Sequence, residues 1–204
     1  MAERLETFKI ITIGDSDVGK TSIIRRYLYN MFDSDNMATI GVNFSYKVIT
    51  LKNKVNVKIK LIDTAGQEKF KSLTKSYYKN ADAALFVFAL NDLDSFNHLN
   101  DWVKSFKDNN GATIPIYLIG NKFDIENKTV DQTQIDEFLK EYSTFKYYPA
   151  SAASGHNIEK VFSDLAEEIN KNFKSGEQKA IMLENQSSKK KGFNCAFCNF
   201  KTDI

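Results

Sequence analysis

The segment Phe8–Ile13, which reads as a buried strand with apolar residues at four of its six positions, leads directly into Gly14-Asp15-Ser16-Asp17-Val18-Gly19-Lys20-Thr21, and a helical pattern follows over Ser22–Tyr29. A strand that turns through two glycines into a helix leaves the chain few folds to choose from. The glycines let the backbone curl until successive N–H groups point inward, and the helix that follows aims its positive end at the same point. Phosphate suits such a cradle. Lys20 adds a point charge toward the β- and γ-phosphates of a nucleotide, and Thr21 places a hydroxyl where magnesium needs an oxygen ligand. Ser16, Asp17, Val18, Gly19 and Ser22 complete the candidate cradle. A chance glycine-rich turn is the alternative, and the strand–loop–helix context argues against it.

Downstream the alternation continues. Phe44–Leu51 and Val55–Ile62 flank a short turn at Asn53 and predict a hairpin. Ala83–Leu90 and Ile116–Asn121 are continuous apolar runs of the kind buried on both faces of a sheet. Between them Ser95–Asp108 has helical spacing, with Phe96, Leu99, Val103 and Phe106 on one side. Two more helices are expected at Thr133–Tyr142 and Ile158–Phe173, on either side of a short strand at Lys146–Tyr148. Strands alternating with helices give a three-layer α/β domain with a mostly parallel sheet, whose ligand sits beyond the carboxyl ends of the strands. The pattern stops after Phe173. Residues 174–204 hold six lysines and three acids and are expected to form a flexible, mildly basic tail behind a nucleotide-binding domain at 1–173.

Composition narrows the class. A net charge of +2 from 28 basic and 26 acidic residues names no partner, and nucleic acid is not expected. The N-terminus lacks the apolar stretch of a signal peptide, and Ala83–Leu90 is too short to span a bilayer, so a soluble cytoplasmic protein is expected. Cys195 and Cys198 are the two cysteines, and they provide no disulfide framework.

Three further motifs fall at predicted strand ends. Asp63-Thr64-Ala65-Gly66-Gln67-Glu68 offers a carboxylate for the second side of a magnesium site, a backbone N–H at Gly66 that can approach a γ-phosphate, and Gln67 to orient an attacking water. An aspartate-capped turn would explain this hexapeptide alone. Asn121-Lys122-Phe123-Asp124 carries a carboxylate that can only accept hydrogen bonds, which matches the N1–H and N2–H donors of guanine and nothing on adenine. Lys122 has an aliphatic stem to pack over the base, and Asn121 can tie its loop to the neighbours. Ser151-Ala152-Ala153 can offer the Ala152 N–H to guanine O6.

With these motifs in place the chain resembles the Ras superfamily of small GTPases, and within it the Rab branch, over roughly residues 7–173. Ile40-Gly41-Val42-Asn43-Phe44, Lys69-Phe70-Lys71-Ser72-Leu73 and Tyr77-Tyr78-Lys79-Asn80-Ala81 carry the Rab-like part of the likeness. The resemblance implies a P-loop small G domain: a six-stranded sheet with one antiparallel strand and about five helices. It implies GTP or GDP as ligand, Mg2+ held by Thr21, Thr39 and Asp63, and slow hydrolysis with Gln67, Lys20 and Thr39 as catalytic residues. Phe32 would stand against the guanine, although Phe32 and Phe44 can also be read as plain core aromatics. Two switch segments, about Phe32–Phe44 and Asp63–Tyr78, would be held by γ-phosphate contacts and released on hydrolysis. The implied partners are an exchange factor, a GTPase-activating protein and effectors that read Phe44, Ile62 and Tyr77, in membrane traffic at the cytoplasmic face of an internal membrane.

The departures from the Rab pattern are specific. Ile62 stands where tryptophan is usual, Asn36 where an aromatic often covers the γ-phosphate, Asp17 where a small or neutral residue is common, and Ala153 where lysine follows Ser-Ala. Ala38 precedes Thr39, so no arginine in cis is evident. Cys195-Ala-Phe-Cys198 is followed by six residues, which fits neither a C-a-a-X box nor a terminal double cysteine. Prenylation, no modification, and a zinc site borrowing His98 or His156 are the readings open there. Lys189–Lys191 could assist membrane association or simply be solvated. A P-loop ATPase or kinase, a GTP-locked scaffold with little hydrolysis, and a Ras-superfamily member outside traffic are the rival functions.

Overall fold

The computed structural model describes residues 5–33, 39, 41–66, 71–110 and 113–191, with the backbone alone for 71–73 and 176–191. Its strands are β1 (Thr7–Ile13), β2 (Val42–Thr50), β3 (Asn56–Thr64), β4 (Ala83–Ala89), β5 (Ile116–Asn121) and β6 (Lys146–Pro149). The helices are α1 (Lys20–Tyr29), α2 (Lys71–Tyr78), α3 (Leu93–Asn97), α4 (Leu99–Asn110), α5 (Gln132–Glu141) and α6 (Ile158–Lys191). The sheet order is β2-β3-β1-β4-β5-β6. Only the β2–β3 pair is antiparallel; the other four pairs are parallel. The expected six-stranded α/β sheet is therefore present, with five main helices if α3 and α4 are taken as one helix broken at His98.

Period-two alternation explains the layers. Along β4, Ala83, Leu85, Val87 and Ala89 enter one core, and Ala84, Phe86 and Phe88 enter the other. A strand covered on both sides has no reason to carry polar residues, hence its unbroken apolar run. The first core lies under Ile23, Ile24 and Tyr27 of α1 and Val161, Phe162 and Leu165 of α6. Tyr27 and Phe162 stack there with ring centroids 3.9 Å apart. The second core takes Tyr78 of α2, Leu99, Trp102, Val103 and Phe106 of α4, and Ile135 and Phe138 of α5.

Local signals set the helix bounds. Asp131 and Gln134 form a capping box at the start of α5, each side chain bonded to the other's backbone N–H. Asp92 caps α3 by accepting from the Ser95 N–H. Two helices differ most from the sequence reading, besides the break of Ser95–Asp108 into α3 and α4 and shifts of a few residues at other ends. Helix α2, not foreseen, buries Thr74 and Tyr78, four residues apart on one helix face. Helix α6 runs on to Lys191 rather than ending at Phe173. Residues 177–184 are mostly strong helix formers, so the segment needs no apolar stripe to take helical form. By contacts the chain divides into two compact units, Met1–Ile169 and Asn170–Ile204. Among the described residues no helix is long and apolar enough to cross a membrane.

Candidate active site

The loops after β1, β3, β5 and β6 all open at the carboxyl ends of their strands, and a cavity of about 550 Å³ lies among them. That volume sits in the roughly 300–1,000 Å³ range of small-molecule sites. Ser16, Asp17, Gly19, Lys20, Thr21, Ser22, Phe32, Thr39, Gly66, Asn121, Lys122, Asp124, Ala152 and Ala153 all line it. Val18 and Ser151 do not. The Val18 side chain is fully buried in the first core, and Ser151 stands behind the wall.

At the phosphate end the P-loop closes around Lys20. Gly19 has φ +91, and a Cβ there would collide with the Asn121 side-chain amide. Gly66 is packed so closely on the backbone of Asp15 and Ser16 that a Cβ would overlap it. The Lys20 ammonium donates to Gly14 O at 3.0 Å and also to Asp15 O. It is buried, and burial pulls its pKa down to about 8 against the opposing pull of Asp63, Asp15 and Asp17. An amine this poorly solvated gains most from an anion placed beside it. Asp17 adopts φ 58 and points to solvent, its side chain 99% exposed, with one carboxylate oxygen 3.4 Å from Lys122 Nζ. Its charge is thereby turned away from the cradle.

Beside Lys20 the three candidate metal ligands meet. Thr21 Oγ1 donates to Asp63 Oδ2 at 2.7 Å, and Thr39 Oγ1 lies 2.7 Å from Thr21 Oγ1. Because Thr21 has one hydroxyl proton, Thr39 is the donor of that second bond. Asp63 Oδ1 is buried with no hydrogen-bond partner among the described residues. Burial raises the Asp63 pKa, partly offset by the Thr21 hydroxyl and by Lys20. An orphaned, desolvated carboxylate oxygen next to two hydroxyls fits a hard cation, and the all-oxygen set fits magnesium. Among the described residues no group of three or more His, Cys, Asp or Glu forms a metal cage. Magnesium characteristically takes one or two carboxylates and completes its shell with water and phosphate oxygens.

The opposite end is built by side chains that tie loops together. Asn121, buried at the end of β5, donates from Nδ2 to Val18 O at 2.8 Å and accepts the Ala152 N–H on Oδ1 at 3.1 Å. The Ala152 amide, expected to be open to a base oxygen, is thus already paired, as buried N–H groups generally are. Ser151 Oγ donates to Asp124 Oδ1 and accepts the Ser154 N–H at 2.9 Å. Asp124 is exposed in the cavity wall. Ser151 fixes its orientation, and its desolvation has to come from whatever covers it. Phe32, 45% exposed, lines the mouth rather than the core.

Asp33 and Ile125 also line the cavity and were missed, although each adjoins a residue the motifs select. Asp15 had no assigned role. Its carboxylate accepts from Trp102 Nε1 at 2.6 Å and meets His98 Nδ1 at 2.6 Å, fastening the P-loop to α4 and the α3 cap. No motif spacing shows a pairing across 80 residues of chain. Ile62 requires a correction: it is fully buried, so it takes no part in an exposed surface. It pairs with Phe44 across β2 and β3 and belongs to the same buried cluster as Phe88 and Tyr78. Phe44 is exposed, and its ring centroid lies 5.5 Å from that of Tyr77. His156 stacks on Phe123 at 5.0 Å. Asn36, Ala38, Gln67, Cys195 and Cys198 lie outside the described residues.

Known proteins resemble this chain over most of its length. The family model described as "Ras family" matches residues 9–171. Ras-related protein Rab-13 of Rattus norvegicus is 38% identical over 162 residues, covering 79% of each chain. Ras-related protein Rab-11B of Dictyostelium discoideum is 41% identical over 157 residues, covering 77% of this chain and 71% of its own. Ras-related protein rab-39 of Caenorhabditis elegans is 34% identical over 178 residues, covering 85% and 78%.

Proposed function

The chain belongs to the Ras family, within its Rab branch, and is a GTPase of the kind that serves membrane traffic; we propose that the cavity among its four loops is where it holds GTP and magnesium. Family members bind guanine nucleotides with Mg2+ in general. The observation that carries the assignment to this cavity is the convergence of Thr21, Thr39 and Asp63, with Asp63 Oδ1 left unpartnered among the described residues.

The reaction is GTP + water → GDP + phosphate. Lys20 and the backbone amides of 16–21 supply fixed positive charge to the phosphates, where transition-state charge spreads over the equatorial oxygens. Magnesium, when bound to Thr21, Thr39 and Asp63, would offset that charge further. Gln67 orients the attacking water. Asp124 accepts the two guanine donors, and Lys122 packs its stem along the base. With Ala38 before Thr39 and no arginine supplied in cis, intrinsic turnover is slow, and an arginine from an activating partner accelerates it by ~10³–10⁵-fold. The segments Phe32–Phe44 and Asp63–Tyr78 respond to the γ-phosphate through Thr39 and Gly66 and present Phe44 and Tyr77 to effectors. Ile62 acts from beneath by supporting those two rings. The basic tail, with Cys195 and Cys198, provides membrane association at a cytoplasmic face.

Single-turnover hydrolysis tests the assignment. Gln67→Leu should hydrolyse GTP at least about tenfold more slowly while its GTP affinity stays within about twofold. A fully active Gln67→Leu would remove the glutamine from the mechanism. A wild type that binds GTP but never cleaves it would make the protein a scaffold.

A further inference from the structure

Arg26, in the last turn of α1, has no part in the chemistry above, yet its guanidinium reaches the far side of the cavity. Nε donates to the carbonyl of Ala152 at 2.7 Å and Nη2 to the carbonyl of Ala153 at 2.6 Å. Nη1 donates to the backbone oxygen of Asn30 at 3.0 Å and to its side-chain oxygen at 3.1 Å. A planar fork can grip two successive carbonyls at once; a lysine ammonium, a single point charge on a flexible stem, has no such geometry.

The two gripped residues are the ones from this loop that line the cavity. The peptide bonds are trans, so each carbonyl points opposite to the N–H that follows it. With Ala152 O fastened to α1, the Ala153 N–H faces away from Arg26. The other amides of the loop are fixed from within: Ala152 N–H on Asn121 Oδ1, and Ser154 N–H on the Ser151 hydroxyl that also orients Asp124. Arg26 therefore braces from outside the loop whose inner side faces the base. Through Asn30, the left-handed cap of α1, it ties the same loop to the point where the chain departs toward Phe32 and Thr39.

We infer that Arg26 is a specificity-determining positioning residue, which shapes the 151–154 loop to read the 6-oxo group of the purine. This rests on the guanine-binding reading given above. A merely structural arginine would, on removal, weaken all nucleotides alike. A positioning role predicts a selective loss.

The test uses the full chain with magnesium and three diphosphates: GDP, inosine diphosphate, which keeps the 6-oxo group and N1–H but lacks the 2-amino group, and the 2-aminopurine nucleotide, which lacks the 6-oxo group and with it the N1–H. The loss of N1–H facing Asp124 is common to wild type and variants and cancels when their preferences are compared. In Arg26→Met the preference for GDP over the 2-aminopurine nucleotide should fall by about tenfold, the worth of one hydrogen bond, while the preference for GDP over inosine diphosphate stays within about twofold. Arg26→Lys should show the same selective loss to a smaller degree, which keeps the test decisive if the methionine variant fails to fold. Equal weakening of all three ligands, or wild-type selectivity surviving in both variants, overturns the inference alone. A wild type that binds GDP and the 2-aminopurine nucleotide equally overturns the guanine reading beneath it, and the inference with it.

Discussion

Lys20 is the residue at which burial and function meet most directly. Its ammonium is desolvated and its pKa is lowered to about 8, against 10.5 for an ordinary lysine. A lysine whose folded pKa lies below its unfolded value binds its proton less tightly when folded. The charged form thus costs stability below pH 8, and that cost disappears as pH rises from 8 to 10.5. Phosphate beside the ammonium restores the proton. Binding of GDP at pH 8.5 should therefore take up most of a proton, and at pH 6.5 this residue should take up almost none; titration calorimetry in buffers of different ionisation enthalpy reads the difference. Proton-neutral binding at pH 8.5 would mean that Lys20 never meets the phosphates. The gathering of these residues was legible in sequence because Lys20, Thr21, Asn121 and Asp124, which line the cavity, and Asp63, bonded to Thr21, each sit in a short motif at a strand end. Asp15 with Trp102, and Arg26 with Ala152, were not legible. Those pairs are joined by tertiary contact across 87 and 126 residues, and no local pattern marks them.

Elements differ in the same way. Strands β4 and β5 were readable because both of their faces are covered, which favours a continuous apolar run; β1 carries Lys9 and Thr12 among its apolar residues and was readable from the glycine-rich turn that follows it. Helix α2 was not, since among the described side chains from 74 to 78 Thr74 and Tyr78 are the buried ones, and Thr74 is not an apolar signal. Ile62 was read as part of an effector surface from the family resemblance, which carries no information on burial. It is fully buried, in the core cluster that also holds Tyr78. Ile62→Trp should consequently overpack the second core and lower stability by about 1–3 kcal/mol, visible as a drop in denaturant midpoint with an unchanged slope. An unchanged midpoint would show that the tryptophan swings out into solvent and rebuilds an aromatic surface with Phe44 and Tyr77.

At the scale of the molecule, every residue lining the cavity lies between Ser16 and Ala153, inside the first compact unit. Chain truncated after Phe173 should bind GDP within about twofold of the full-length affinity, because none of the lining residues is lost. A larger loss, read by nucleotide dissociation, would assign the C-terminal unit a share in binding. The order of the strands explains why four distant motifs form one pocket: β1 lies between β3 and β4, and parallel pairing brings the carboxyl ends of β1, β3, β5 and β6 to one edge. On the proposed reading, a carboxylate at Asp124 that accepts but cannot donate would give that pocket its choice of base. The most direct measurement is displacement of labelled GDP from the purified protein, in magnesium, by unlabelled GDP, GTP, ADP and ATP. The guanine nucleotides should displace it at stoichiometric concentrations and the adenine nucleotides should fail at a thousandfold excess or about that. Displacement by ATP at concentrations comparable to GTP would contradict the account.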